Sequence, residues 1–198
     1  MSIVVEHDKR RNAILEKALD VFTDEGFEDA TFQKIADRCR ITRTTLYLYF
    51  KNKKEIFNYS NKLLSFKVEE NVKAIQADAS LNMSEKISRV LLSIIDQLQE
   101  NRRLLMVVLD YLLYLSRSDS DPGIRVRRRT IRWRRILAAM IIEGIKTKEF
   151  APISVKIACN YLYSFIEAAI FRLVVLKNET VDEVKQAAAK AVEFLRQR

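Results

Sequence analysis

The chain has 198 residues, of which 48% are hydrophobic and 31% charged, and its formal net charge is +9. This length and composition support a globular core and exclude a disordered chain, while three glycines and two prolines leave few positions for hairpin turns. Leu, Ile, Ala, Glu, Lys and Arg dominate, so we predict an all-α protein of long helices and short connections.

The first 40 residues predict two helices. The first spans about residues 8–25, and Gly26 is placed to end it in the left-handed αL conformation. The second helix has Thr31 as its N-cap and ends near Arg38. We expect His7, the only histidine of the chain, to lie in a mobile tail before these helices.

The next residues predict a third helix and the start of a fourth. Thr42 caps the third, in which Leu46 and Phe50 are one turn apart and face inward. Asn52 followed by Glu55 has the pattern of a capping box and begins a long fourth helix. Because a turn of about 3 to 4 residues joins helices two and three, the pattern indicates a helix-turn-helix.

A compact basic patch coincides with this motif. Residues 1–30 contain 4 Lys and Arg against 8 Asp and Glu, whereas residues 31–54 contain 7 against 1. At about 100° per residue, Arg43, Thr44, Tyr47 and Lys51 share an arc of about 100° on the third helix, away from its apolar side. Arginine can read guanine, threonine can contact a thymine methyl group, and tyrosine and lysine suit phosphates. The sequence therefore predicts a DNA-binding face here.

The segment "ILEKALDVFTDEGFEDATFQKIADRCRITRTTLYLYFKNKKEIF" resembles the N-terminal domain of the TetR family of bacterial transcriptional regulators. The resemblance implies a helix-turn-helix DNA-binding domain over residues 1–51 and a helical effector-binding and dimerisation domain over residues 52–198. The family usually has Ala-Gly where this chain has Cys39-Arg40, so Arg40 would adopt αL at a cost of order 1 kcal/mol and could touch a phosphate. The predicted DNA-binding residues are the positions that match family DNA contacts, with Arg40 and Thr45 added: Thr31, Arg40, Arg43, Thr44, Thr45, Tyr47, Tyr49 and Lys53.

In the larger domain the sequence predicts about five more helices. The last two of these helices carry apolar residues at steps of 3 and 4. Such a pair of helices can form a four-helix interface with a second copy of the chain, and a homodimer is also what reading a palindrome requires. The alternative is that the same residues close the core of a single chain. The residues of this predicted dimer interface are Ala158, Leu162, Ala169, Leu173, Val184, Ala188, Ala191 and Leu195.

The resemblance also implies a cavity for a small-molecule effector, beside the helix over residues 104–115, which is apolar nearly all round. An arginine run over residues 125–135 leaves two interpretations open: a solvated basic face, or a site for the anionic group of an otherwise apolar effector such as an acyl-CoA. The predicted effector-binding residues are Met106, Leu109, Leu113, Arg128, Arg132, Trp133, Leu137, Met140 and Phe165.

Export and membrane insertion are not expected. The apolar start over residues 3–5 is far shorter than the roughly 7 to 15 residues of a signal peptide's apolar region. The most apolar segment, residues 157–176, is interrupted by polar and charged side chains and predicts a buried helix. Cys39 and Cys159 fit neither a zinc spacing nor a CxxC pair. We expect a cytoplasmic protein without a cofactor or a metal.

Catalysis is not expected either, because the sequence offers no glycine-rich phosphate motif, no metal-ligand cluster and no nucleophile near a base. The resemblance implies a homodimeric repressor that a small-molecule effector releases from a palindromic, double-stranded operator. Two alternatives stay open: a non-specific basic nucleic-acid-binding protein, and an acyl-CoA or lipid carrier.

Overall fold

A computed structural model of the chain describes residues 2–117, 123–176 and 180–196, leaving aside the side chains of residues 2–5, 63–65, 67 and 123–129. These residues form helices and short connections without a strand, which confirms the all-α prediction. The helices are α1 (Ser2–Asp29), α2 (Phe32–Cys39), α3 (Arg43–Tyr47), α4 (Lys53–Ala77), α5 (Met83–Glu100), α6 (Arg102–Arg117), α7 (Gly123–Lys146), α8 (Val155–Ile170) and α9 (Val181–Glu193). A π-helical turn, Phe171–Leu176, continues α8, and a 3-10 turn, Phe194–Arg196, follows α9.

Helix α1 is longer than predicted at both ends. It begins at Ser2, so His7 lies in a helix and the prediction of a mobile tail is wrong. Gly26 interrupts α1 with φ 81° and ψ 173°, after which the chain continues in helical form to Asp29. The φ angle is positive as predicted, but the ψ angle is extended and not αL. Only glycine occupies that region without strain, so the kink at this position depends on the missing side chain.

The first compact unit comprises Met1–Lys67 and Val107–Tyr111 of α6. Its core contains Phe22, Phe57, Leu46 and Phe50, each at most 1% exposed. The rings of Phe22 and Phe57 meet edge to face at 4.9 Å, and Tyr111 of α6 adds a third ring 5.0 Å from Phe57. This unit includes the first half of α4, and the predicted domain boundary after residue 51 stays a prediction.

The second compact unit comprises Val68–Met106 and Leu112–Arg198. Helices α5, α7, α8 and α9 surround its core, and α9 lies along α5, where Lys185 forms an ion pair with Asp96 at 2.5 Å. Asn82 and Thr180 start α5 and α9 with complete capping boxes, so both helices begin at defined residues.

Both cysteines are buried and reduced. Cys39 is 9% exposed and its Sγ lies 3.9 Å from the carbonyl oxygen of Ile14, while Cys159 is 6% exposed and its Sγ lies 3.2 Å from that of Arg134. Burial raises the pKa of both thiols. Within the described ranges, no group of three or more His, Cys, Asp or Glu could hold a metal ion.

Candidate DNA-binding interface

Two threonine caps define the helix-turn-helix. The Oγ1 atom of Thr31 accepts the N–H of Lys34 at 3.2 Å and starts α2, and the Oγ1 atom of Thr42 accepts the N–H of Thr45 at 3.1 Å and starts α3. Each cap satisfies one of the N–H groups that a helix leaves without an internal partner. Both helices therefore begin where the sequence predicts.

Arg40 makes the turn between these helices. Its φ of 56° and ψ of 42° are αL, as the resemblance implies, and this conformation turns the chain back on the end of α2. The N–H groups of Arg40 and Ile41 donate to the carbonyl oxygens of Asp37 and Ala36, each at 3.0 Å. These bonds offset the cost of a left-handed arginine, whose side chain is left exposed beside α3.

Helix α3 separates a buried side from an exposed one. Leu46 is fully buried, whereas Arg43, Thr44 and Tyr47 are exposed on the other side. A guanidinium N–H of Arg43 donates to the Tyr47 hydroxyl at 3.2 Å, and the Tyr47 ring lies 4.6 Å from the ring of Phe32. Arg43 is thus supported by a tyrosine that packs on α2. These exposed residues and Leu48 are called the recognition face below.

Leu48 is an exposed residue of this face that the sequence pattern did not assign to DNA. It follows α3 directly and is 75% exposed, although leucine is an apolar side chain. It lies four positions after Thr44, which places the two side chains one helical turn apart. The signal was available in the sequence, since Leu48 falls about 40° outside the arc that was assigned to DNA.

Thr45 and Lys53 have other partners than the predicted DNA. The hydroxyl of Thr45 lies 2.8 Å from that of Thr42, within the cap of α3. The Lys53 ammonium donates to the carbonyl oxygens of Phe27, Glu28 and Ala30 at 2.9, 2.6 and 3.0 Å. An ammonium has three N–H donors, so these carbonyls at the end of α1 use all of them. The structure gives Lys53 a different role: its side chain ties the start of α4 to the end of α1.

The start of α4 also differs slightly from the predicted capping box. The side chain of Asn52 accepts the N–H of Glu55 at 2.9 Å, as predicted. The carboxylate of Glu55 reaches one residue further back and accepts the N–H of Lys51 at 2.6 Å. Both bonds fix the short connection between α3 and α4, and Tyr49 lies in that connection, half-buried.

The predicted dimer-interface residues face inward. All eight are at most 2% exposed in the single chain, so they cannot meet a second copy, and the alternative that they close the core of one chain is correct. On α8 the large exposed apolar residues are instead Ile157 and Tyr161, continued by Phe171 in the π-helical turn, which is 54% exposed. Ile157 and Tyr161 each immediately precede a residue of the predicted stripe, and one residue is about 100° around the helix. Phe194 lies 5.3 Å from Tyr161 and extends this surface, which is called the outer face of α8 below.

By length and composition alone, Val155–Leu176 could cross a membrane, with a mean hydropathy of 1.4 over its most apolar window. A single helix of this kind is weak evidence for a span, because one side of it belongs to a protein core. The prediction of a buried helix is correct for the inner side only, since 28% of that window is buried.

The predicted effector-binding residues divide by burial. Leu137 and Met140 belong to the core of the second unit, Trp133 and Phe165 pack partly buried against it, and Leu113 is 55% exposed. Met106 and Leu109 are half-buried, and Leu109 belongs to the first compact unit. The arrangement brings Trp133 and Phe165 to one core and leaves Leu113 outside it.

The arginine run is described only in part. The side chain of Arg128 lies outside the described residues. Arg132 is exposed and its guanidinium pairs with the carboxylate of Glu69 on α4, while Arg134 lies over the ring of Tyr163 at 5.0 Å. An anionic ligand at Arg132 would therefore compete with a carboxylate that is already present.

Comparisons with known proteins agree with this arrangement. A family model described as bacterial regulatory proteins, tetR family, matches residues 14–59, which span α1 to the start of α4. The HTH-type transcriptional regulator PksA of Bacillus subtilis is 29% identical over 110 residues, which is 56% of this chain and 53% of PksA. The chain thus spans about half the length of that relative.

Two solved structures are similar in fold. A TetR transcription regulator from Haloarcula marismortui has a TM-score of 0.83 at 19% identity, covering 96% of this chain and 100% of the other. The transcriptional regulator FadR from Bacillus subtilis, in complex with stearoyl-CoA, has a TM-score of 0.71 at 21% identity, covering 91% and 96%. The matched helix-turn-helix and the shared all-helical fold lead to one conclusion: residues 14–59 match the TetR family of bacterial regulatory proteins, and the chain has the fold of solved regulators of that family.

Proposed function

We propose that this protein is a sequence-specific, DNA-binding transcriptional regulator of the cytoplasm and not an enzyme. In the mode that is commonest in the TetR family, it would repress genes and leave a palindromic operator when a small-molecule effector binds. The observation that carries the proposal is the recognition face: exposed Arg43, Thr44 and Tyr47 on a capped helix, whose buried side packs into the first unit.

The residues of this face have different chemistry toward DNA. Arg43 is placed to read a base edge, because its guanidinium is exposed and oriented by the Tyr47 hydroxyl. Thr44 suits a thymine methyl group or a phosphate, and Tyr47 suits the backbone. Arg40 and the Thr31 hydroxyl lie at the turn and at the start of α2, where phosphates are the expected partners.

The outer face of α8 supports a homodimer. Its exposed rings and aliphatic groups share one side of α8 and of the turn that follows it, and a soluble protein rarely leaves a large apolar patch open to water. A second copy of the chain would cover it with the same residues, as two-fold symmetry requires. Two recognition helices about 34 Å apart would then enter successive major grooves of a palindromic operator.

The second unit is the proposed effector domain. The relative in complex with stearoyl-CoA suggests the class of ligand to test first, an acyl-CoA, with Trp133 and Phe165 near its apolar chain. Arg132 would bind the anionic part if it exchanged Glu69 for the ligand. An effector can release DNA only if it binds the released conformation more tightly than the bound one.

The DNA-binding proposal is tested with labelled DNA from upstream of the protein's own gene, at physiological salt, with excess scrambled duplex as competitor. We expect retained binding, and a loss of about tenfold or more in Arg43→Ala, since a good base contact contributes about 1 to 3 kcal/mol. Arg38→Ala is the matched control, because Arg38 pairs with Asp24 at 3.1 Å outside α3. Equal losses in both variants, or binding erased by scrambled DNA, would favour the alternative of a non-specific nucleic-acid-binding protein.

The effector proposal is tested by adding stearoyl-CoA, free stearate or CoA alone to the preformed complex with operator DNA. Release by the acyl-CoA, weakened in Arg132→Gln, is the expected result. Tight binding of the acyl-CoA with no change in operator affinity would favour the alternative of a lipid carrier. If Arg132→Gln binds the acyl-CoA as wild type does, the proposed anion contact at Arg132 is wrong.

A further inference from the structure

Helix α1 begins well before the core that it helps to build. Among its described side chains, from residue 6 onward, the first buried apolar residue is Ile14, and residues 6–10 are exposed. His7 and Arg11 nevertheless continue the inward stripe of α1, since positions 7, 11, 14, 18 and 22 follow one another at steps of 3 or 4. At positions 7 and 11 this stripe carries an imidazole and a guanidinium in place of apolar side chains.

The side chains of His7 and Arg11 both lie on aromatic rings near α3. The imidazole of His7 stacks on the ring of Tyr49, with the ring centroids 4.6 Å apart and an angle of 27° between the planes. One turn later, the guanidinium of Arg11 lies 4.1 Å from the ring centroid of Tyr59 and 5.2 Å from that of Phe50. The beginning of α1 thus contacts the connection between α3 and α4, where Tyr49 stands.

We propose that His7 is a positioning residue for DNA binding: its ring holds the Tyr49 ring in one orientation, so that the phenol hydroxyl is ready for a phosphate. The inference rests on the proposed function, in which Tyr49 contacts the DNA backbone. Stacked aromatic rings attract each other in a defined geometry. A side chain that is ordered beforehand loses less conformational freedom when DNA binds.

The exposure of His7 separates this role from a purely structural one. A residue of the core would be buried, whereas His7 lies outside the core and its ring contact is with a side chain that is itself half-exposed. Replacement of His7 should therefore leave the fold intact and change only the order of the Tyr49 ring.

The contact can be tested without DNA, because His7 is the only histidine of the chain. In the untagged protein, the imidazole proton signals in an NMR spectrum therefore come from this residue alone. We expect these signals to be shifted upfield by the Tyr49 ring and to show nuclear Overhauser contacts with it, and Tyr49→Leu should abolish both. Signals at free-histidine positions in the wild type would overturn the inference.

The effect on DNA binding is tested with three variants of α1. Loss of the stack in His7→Ala should weaken operator affinity about three- to tenfold, the range expected for ordering one side chain. His7→Phe retains an aromatic ring and should restore wild-type affinity. Asn12→Ala, an exposed change on the same helix, is the matched control and should bind as wild type does.

A double-mutant cycle distinguishes positioning from a direct contact between His7 and DNA. In a Tyr49→Leu background, His7→Ala should cause no further loss if His7 acts through Tyr49. A loss that persists there, or one that His7→Phe does not restore, would contradict the positioning role. If wild type and Arg38→Ala bind the operator and His7→Ala binds equally well, this inference fails while the proposed function stands.

Discussion

The recognition face of the helix-turn-helix and the outer face of α8 both expose large apolar side chains, yet their surroundings differ. Leu48 is 75% exposed and lies close in sequence to two exposed cations, Arg40 and Arg43. Phe171 is 54% exposed and continues a helix whose other exposed apolar residues include Ile157 and Tyr161. An apolar group among cations suits a groove of DNA, where methyl groups lie between phosphates. An apolar group that is surrounded by other apolar groups suits contact with a second protein surface. The charge around an exposed apolar group therefore indicates which kind of partner would suit it.

The largest expected effect is on the outer face of α8. Phe171→Lys would place a charge at the centre of the proposed dimer interface, where loss of a hot-spot residue costs about 2 to 4 kcal/mol. We expect monomers at micromolar concentration in analytical ultracentrifugation. Gln186→Lys, an exposed change on α9, is the control and should leave the dimer intact. Dimers in both variants would contradict the proposal that the outer face of α8 is the dimer interface.

The next effect concerns the support beneath the recognition face. Lys53→Met removes three hydrogen bonds from an ammonium to the end of α1, and a hydrogen bond to a charged group contributes about 1.5 to 3 kcal/mol. We expect a free energy of unfolding in urea that is lower by about 2 kcal/mol, because the side chain is half-buried. Lys54→Met, an exposed neighbour, should change it little. Equal values for the two variants would show that the ammonium of Lys53 is not engaged as described.

A smaller effect is expected when Leu48 is shortened. Leu48→Ala should lower operator affinity by about 1 kcal/mol if one of the three carbon groups that it removes is buried against a thymine methyl group, since each buried methylene contributes about 0.8 kcal/mol. Replacing thymines of the operator one at a time by uracil, which lacks that methyl, identifies the partner. At one position the replacement should weaken wild type and leave Leu48→Ala unchanged. If every replacement affects both proteins equally, Leu48 does not read a methyl group.

The smallest expected effect distinguishes the roles of two threonines, Thr42 at the N-cap of α3 and Thr44 within α3. Thr42→Ala removes the cap of α3 and should lower the free energy of unfolding by about 1 kcal/mol. Thr44→Ala, on the recognition face, should leave that free energy within about 0.5 kcal/mol of wild type and weaken operator binding instead. The reverse pattern would contradict the assignment of these two residues.

The sequence predicts the helix-turn-helix well because its determinants are local. Thr31 and Thr42 cap helices through N–H groups only three positions away, and the resemblance to the family turn implied the αL conformation of Arg40. Lys53 is different, because its acceptors lie 23 to 26 residues earlier in the chain and no spacing rule connects them. The sequence predicted a mobile tail at His7 for the same reason: its partner Tyr49 becomes a neighbour only when the chain folds.

The larger domain was harder because α8 is apolar on two sides. A stripe through Ile157 and Tyr161 and a stripe through Ala158 and Leu162 fit the helical repeat equally well. The sequence therefore shows two apolar faces and cannot assign one to the core. Packing against α5 and α7 makes that choice, and it reverses the predicted assignment of the dimer interface.

The burial of the two cysteines has a practical consequence. Thiols react with maleimide dyes as thiolates, and a raised pKa together with low exposure makes both native thiols slow to react at neutral pH. A third cysteine at an exposed position such as Asn12 would therefore be labelled selectively in the otherwise native protein. Energy transfer between the two dyes of a dimer would then report how far apart the DNA-binding modules stand, with and without effector, in a single fluorescence experiment.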